Sequence, residues 1–228
     1  MDPPRVAARL VDGDVDGDKA NGSGMRRKLG SIGLILFALA VAASPVGSRA
    51  QQLRLAPDHP LLFIDAQGAL VRSTDFQGKW LLVYFGYTHC SDLCPTGLSV
   101  MASALEQIGA AGDHVQPLFV TVDPERDRGP LLRAFTASFD RRLIGLSGSI
   151  EQIRRAADAL GVAFRKVASG ETDYVVDHSS SYTLIDPTHT HAEVLRIAEP
   201  HVLASKLIEV VTKAGVPLDH LNNVAAYR

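Results

Sequence analysis

The chain has 228 residues, 46 % of them hydrophobic, and a formal net charge of −2. That length allows one or two domains, and the apolar share suits an ordinary folded core. With neither a basic nor an acidic excess, composition points away from nucleic acid as a partner.

Residues 1–24 are polar, rich in Gly and Asp and free of apolar periodicity, so they read as a disordered N-terminal tail. Asp12-Gly-Asp14-Val-Asp16-Gly17 imitates the first half of a calcium loop. Its twelfth position is Ser23 rather than Glu, and no helical pattern flanks it, which leaves a solvated tail. Met25-Arg26-Arg27-Lys28 is a cationic cluster ahead of an uncharged apolar run over 29–43. This is the form of an export signal, short for a full membrane span, and Ser48-Arg49-Ala50 supplies small residues at a cleavage site. Extended to Val46 and left uncleaved, the run over 29–46 becomes a single membrane anchor. Both readings put residues after 50 on the far side, the periplasmic side of an inner membrane. Met25 competes with Met1 as the true start. The expected organisation is therefore a tail over 1–24, a signal peptide or anchor over 25–50, and one domain over 51–228.

Recognisable folding begins near Leu61, with a hairpin of Leu61–Asp65 and Ala69–Arg72 turning at Gln67-Gly68. Trp80 to Phe85 is a continuous apolar run of strand length, as expected of a strand covered on both faces. Gly86 breaks it, Thr88 is a candidate cap, and Pro95 falls where an opening helical turn tolerates proline. Leu98, Met101, Leu105 and Ile108 then recur at helical spacing, with Gly109 as the stop. Gln116–Val122 is a second buried strand. Pro130 opens a helix carrying Leu131, Leu132, Phe135 and Phe139, and Leu143–Leu146 is a short strand. Ser149 and Gln152 form a capping box for a helix that Gly161 closes. Ala163–Val167, Tyr182–Ile185 and Val194–Ile197 read as strands, and His201–Lys213 as a last helix ending near Gly215. Alternating strands and helices define an α/β fold, whose ligands gather beyond the carboxyl ends of the strands. Cys90 and Asp123 each follow such an end and share one rim.

Cys90 and Cys94 are the only cysteines of the chain. A spacing of four at a helix start puts both sulfurs on one face, where the dipole and unpaired N–H groups favour thiolate. Such a pair can close into a disulfide or hold a soft metal. Of eight histidines, His59, His114 and His220 sit in loop contexts. His189 and His191 lie in a turn between strands and are expected to face solvent. His89 abuts Cys90, as a tuning, capping or merely exposed group. His178, between two strand-like runs, sits where a loop can return it to the rim.

Three segments then resemble a known family. Gly86-Tyr-Thr-His-Cys90-Ser-Asp-Leu-Cys94-Pro95, Thr121-Val-Asp123-Pro-Glu-Arg-Asp127 and Tyr174-Val-Val-Asp177-His178-Ser179 are similar, in order and spacing, to the signatures of the Sco/SenC copper chaperones. Gly78-Lys79-Trp80, Ile144-Gly-Leu-Ser-Gly148 and Leu184-Ile-Asp186-Pro187 support the likeness, which covers about 61–213. It implies a thioredoxin-like fold, a central mixed sheet flanked by helices, tethered or exported, that delivers copper to the copper-bearing subunit of cytochrome c oxidase during assembly. It carries the metal-ligand role onto Cys90, Cys94 and His178, and a supporting or partner-contact role onto Asp123. Ser91 stands where the family usually has proline, and Thr188-His-Thr-His191 replaces the usual glycine turn.

Two thiolates and an imidazole suit Cu(I) and can also hold Cu(II), whereas structural zinc wants a fourth protein ligand. An oxidised Cys90–Cys94 disulfide cannot bind copper, so loading in an oxidising compartment requires a thiol reductant. The alternative is a thiol–disulfide oxidoreductase or peroxide-reducing enzyme on the same fold, acting on exported proteins. A binding module with a purely structural disulfide ranks behind both, because closing so small a loop adds little stability.

Overall fold

The computed structural model describes residues 51–215, apart from 57 and 92. The expected tail over 1–24 and the signal or anchor over 25–50 lie outside the described residues, as does His220. Among the described residues no helix is long and apolar enough to cross a membrane.

Ten strands and four α-helices are described. In chain order they are β1 (Gln51–Arg54), β2 (Leu62–Asp65), β3 (Leu70–Arg72), β4 (Trp80–Gly86), α1 (Leu93–Gln107), β5 (Val115–Thr121), α2 (Gly129–Ala137) and β6 (Ile144–Ser147). They continue with α3 (Ile150–Ala159), β7 (Phe164–Ser169), β8 (Asp173–His178), β9 (Tyr182–Ile185), β10 (His191–Leu195) and α4 (Pro200–Lys213). The main sheet runs β1-β10-β9-β4-β5-β6-β2-β3, and β7 pairs with β8 in a separate two-stranded sheet. The pairs β4–β5 and β5–β6 are parallel and the others antiparallel, so the sheet is mixed. Helices flank it, giving the mixed α/β architecture expected from the sequence.

The physical centre is β4. Every residue from Leu81 to Gly86 is buried, which requires cover on both faces and explains the unbroken apolar run. β5, apolar apart from Gln116 and Thr121, lies beside it in parallel, Val83 opposite Leu118 and Phe85 opposite Val120. Burial of side chains such as Leu82, Phe85, Leu118 and Phe119 stabilises by about 1.5–3 kcal/mol each. No disulfide is needed to hold this core together.

The hairpin of β2 and β3 turns at Gly68, whose φ of 86° is open to glycine without strain. Other boundaries differ from expectation. Strand pairing begins at Gln51 rather than near Leu61, because β1 adds to the edge at β10 through Gln51↔Val194 and Arg54↔His191. Polar Gln51 and Gln52 hid that strand, since an edge position is held by backbone hydrogen bonds rather than apolar burial. β10 starts at His191, three residues before the expected Val194, drawn forward by the same pairing. The helix after Cys94 stops at Gln107 and a 3-10 turn over Gly109–His114 leads into β5. Asp173–His178 is a strand and not a loop: Tyr174, Val175 and Val176 have strong strand preference and pair with β7 from Phe164↔His178 to Ser169↔Asp173.

The Ser149 capping box forms in both directions: the Ser149 hydroxyl accepts the Gln152 N–H and the Gln152 side chain accepts the Ser149 N–H. Ser149→Ala should therefore lower stability by about 1 kcal/mol, read as an earlier urea midpoint with an unchanged slope. A midpoint equal to wild type would show that the cap is dispensable.

Candidate metal centre

Gly86 ends β4, and the chain turns through Thr88 and Cys90 into α1, so both cysteines sit beyond the carboxyl end of the central strand. Two buried tyrosines fix the start of α1 to the sheet. The Tyr84 hydroxyl donates to the Leu93 carbonyl at 3.3 Å and the Tyr182 hydroxyl to the Gly97 carbonyl at 2.7 Å. Glycine is required on both sides of this junction. A Cβ on Gly86 would stand 2.9 Å from Cys94 Sγ and 2.9 Å from Phe119, and one on Gly97 would stand 2.6 Å from the Tyr84 ring.

Thr88 is not a helix cap. Its N–H and hydroxyl donate to Asp127, at 2.8 and 2.6 Å, and Thr121 donates to the same carboxylate at 2.7 Å. Asp127 is fully buried. It ties the cysteine turn to the loop after β5, supplying acceptors for groups that would otherwise be buried unpaired. Val122 N–H adds a backbone bond to the Gly86 carbonyl at 2.8 Å.

Across from the cysteines lies the end of β8. Cys94 Sγ is 3.2 Å from His178 Nε2. The sulfurs of Cys90 and Cys94 and a nitrogen of His178 all lie within 4.8 Å of one another, forming a group that could hold a metal ion. Thus folding brings together the three expected residues, with Cys94 and His178 meeting from 84 positions apart. The His178 Nδ1 lies 3.0 Å from the Ser179 carbonyl. A carbonyl can only accept, so Nδ1 carries the proton and the Nε2 lone pair faces Cys94. Burial lowers the His178 pKa, against the opposing pull of the Ser179 carbonyl and Asp177. The ring is thereby kept neutral, the form that binds a metal. Tyr87 packs edge-on against it, ring centres 6.0 Å apart.

The sulfurs differ. Cys90 is half-buried and its Sγ receives the Cys94 backbone N–H at 3.5 Å, the helix-start contact expected from the sequence. Cys94 is fully buried. Burial pushes its thiol well above the usual range, reinforced by Cys90 and Asp127 and opposed by a backbone hydrogen bond from Tyr87. The expected thiolate preference is therefore reversed at Cys94, where loss of hydration outweighs the helix dipole. The two are not joined as a disulfide. Cys94 can surrender its proton when a soft cation, or a bond to Cys90, takes the charge.

Asp123 does not join the three donors. Fully buried, it accepts the Tyr174 hydroxyl at 2.8 Å and is ion-paired to Arg126. Arg126 also reaches Asp173 at 3.2 Å and the Tyr174 carbonyl at 3.2 Å, with its guanidinium 3.9 Å from the centre of the Tyr174 ring. Lys166 pairs with Glu125 at 2.7 Å. These contacts dock the β7–β8 hairpin onto the loop after β5, and so aim His178 at the sulfurs. Sequence reasoning missed Arg126, Asp127, Tyr87 and Tyr174 individually, although all lie within the quoted segments. His89 is exposed, near Thr88 and Asp127 rather than turned to the sulfurs. His191 is exposed, as expected, but His189 is buried at 5 % exposure with φ 55°.

The SCO1/SenC family profile matches residues 50–213. The chain is 40 % identical over 127 residues to "Protein SCO2 homolog, mitochondrial" of Bos taurus, covering 54 % of this chain and 48 % of that one. It spans about half the length of the mitochondrial relatives it matches. Among solved structures, Bradyrhizobium japonicum ScoI with copper bound aligns at TM-score 0.61 and 33 % identity, over 67 % of this chain and 98 % of that chain. Arabidopsis thaliana ScoI with copper bound aligns at 0.63 and 32 %, over 68 % and 98 %.

Gly86→Ala should cost about 1–3 kcal/mol through overpacking and displace Cys94 from His178, seen as altered His178 ring shifts in NMR. A variant with wild-type stability and unchanged ring shifts would mean that the close approach of Gly86 to Cys94 is slack.

Proposed function

The chain belongs to the SCO1/SenC family, and from that premise we propose that it binds copper through Cys90, Cys94 and His178 and passes it to the copper-bearing subunit of cytochrome c oxidase during assembly. The observation that carries this is the 3.2 Å approach of Cys94 Sγ to His178 Nε2, with Cys90 in the same group. The donor set fits the cargo. Two soft sulfurs and a neutral imidazole suit Cu(I), a soft ion content with few ligands, and the same set accepts Cu(II). Copper-bound solved relatives at 33 and 32 % identity support the choice of metal.

Loading follows from the unequal sulfurs. Cys90, half-buried, meets the incoming ion first. Cys94 then exchanges its proton for the metal, and His178 closes the site with the nitrogen that already faces it. Oxidation removes both thiols at once: closing the Cys90–Cys94 disulfide passes two electrons and two protons to an oxidant of the exported compartment, and a thiol reductant must return them before copper binds. Metal loading is in this way gated by redox state. Asp123 acts at one remove, through Tyr174 and Arg126, by holding the hairpin that carries His178.

The proposed organisation keeps the N-terminal tail over 1–24 and the signal or anchor over 25–50, with the copper-binding domain over 51–228 on the exported, periplasmic side. If uncleaved, residues 29–46 attach it to the membrane. A second reading, a thiol–disulfide oxidoreductase, draws on the half-buried Cys90 sulfur at a helix start beside a second thiol. It leaves the His178 contact without a task.

His178→Ala should weaken Cu(I) binding by at least the roughly 10–100-fold that loss of a supporting residue costs at metal sites, read by competition with a chromophoric chelator on the reduced protein, while far-UV dichroism stays unchanged. Wild-type affinity in that variant contradicts the ligand assignment. Rapid insulin reduction without copper transfer to an apo-oxidase fragment favours the second reading.

A further inference from the structure

A second concavity lies outside the Cys90–Cys94–His178 group and shares no residue with it. It is a cleft of about 780 Å³ between the segment after β1, the start of β2, α3 and the β9–β10 turn. Leu55, Leu61 and Ala156 give it apolar walls, and Arg54, Arg155 and His189 line it as well. Such a volume, with mostly apolar lining and a few convergent polar groups, is the usual form of a small-molecule site. Pairing of β9 with β4 through Ile185↔Leu81 puts His189 at the end where β4 begins. About 20 Å of strand then separates it from Gly86 and the metal centre.

The polar groups are poised without partners. Arg54 and Arg155 are exposed, and neither guanidinium has an ion-pair partner or side-chain hydrogen bond among the described residues. Glu151, one turn before Arg155 on α3, feels its charge but does not pair with it. Asp58 is the one carboxylate among the lining residues, so the local balance is cationic. His189 is 95 % buried by its 5 % exposure, and neither ring nitrogen makes a hydrogen bond of normal geometry. Burial lowers its pKa, against the nearby Lys79 backbone and Asp186, so the ring is neutral and packs into the cleft wall with both nitrogens buried. Its φ of 55° is left-handed backbone that glycine would adopt with less strain. A strained, unsatisfied imidazole on a cavity wall is a feature that persists where function requires it.

We propose that this cleft is a second binding site, for a small organic anion with an apolar body, its carboxylate held by Arg54 and Arg155 and its body against Leu55, Leu61, Ala156 and the His189 ring. Guanidinium forks match a carboxylate bidentately, and the apolar walls reward a body that inorganic anions lack. The site is independent of copper.

The test is an NMR titration of the full-length chain with 2-naphthoate and, separately, with its neutral isostere 2-naphthamide. Saturable shifts at the cleft lining, the His189 ring among them, are expected, with the carboxylate bound about tenfold more tightly than the amide. Arg155→Gln should weaken naphthoate binding by about tenfold. His189→Gly, which places the less strained residue at φ 55°, should fold and also bind less tightly. No saturable shift at the cleft, equal binding of amide and carboxylate, or undiminished binding by Arg155→Gln overturns the proposal.

Discussion

The approach of the Cys94 sulfur to the His178 imidazole, 3.2 Å across two separate pieces of the fold, is the constraint from which the rest of the structure can be understood. One side of it is the junction of β4 and α1. There Gly86 leaves room for the sulfur, and Tyr84 and Tyr182 fix the helix start from below. The other side is the β7–β8 hairpin, which is not part of the main sheet and must be docked by side chains. Arg126, stacked on Tyr174 and paired with Asp123 and Asp173, does this. Exposed pairs such as Arg165–Asp177 add little, being open to water. Asp123 and Asp127 matter more because both are buried and their acceptors are occupied.

Burial sets the chemistry of the site as much as proximity does. It keeps His178 neutral and Cys94 protonated, so the resting centre holds no net charge at those two groups in a place where charge is costly. A soft cation reverses that balance, since it supplies the positive charge that a buried thiolate lacks. A disulfide achieves neutrality by the other route. A sulfur pair closed as a disulfide has no thiolate to offer a cation, and the proposed coupling of metal uptake to redox state rests on that exclusion. The half-buried Cys90 beside the buried Cys94 gives the pair an outer and an inner sulfur.

Much of this was legible in the sequence. The apolar run over Trp80–Phe85 and the Ser149–Gln152 capping box each express a local rule, and each appears in the structure where expected. Cys90 and Cys94 do come together, but Cys90 lies in the turn before α1 rather than on the helix with Cys94. What escaped depended on long-range contacts. β1 is polar and takes its conformation from an edge it joins. Thr88 resembles a cap until Asp127, 39 positions away, claims its hydroxyl. Helix-dipole reasoning favours thiolate at Cys94, but depth of burial is invisible to spacing and decides the matter. His189 looked like a surface residue in a turn, and nothing in Thr188-His-Thr-His191 reveals that its ring faces inward.

X-ray absorption on the reduced protein loaded with one equivalent of Cu(I) addresses the central claim most directly. The account predicts a three-coordinate ion with two sulfur ligands and one imidazole nitrogen, and loss of the imidazole scattering when His178 is replaced by Ala. A spectrum with sulfur ligands alone, or one unchanged by that replacement, would contradict it.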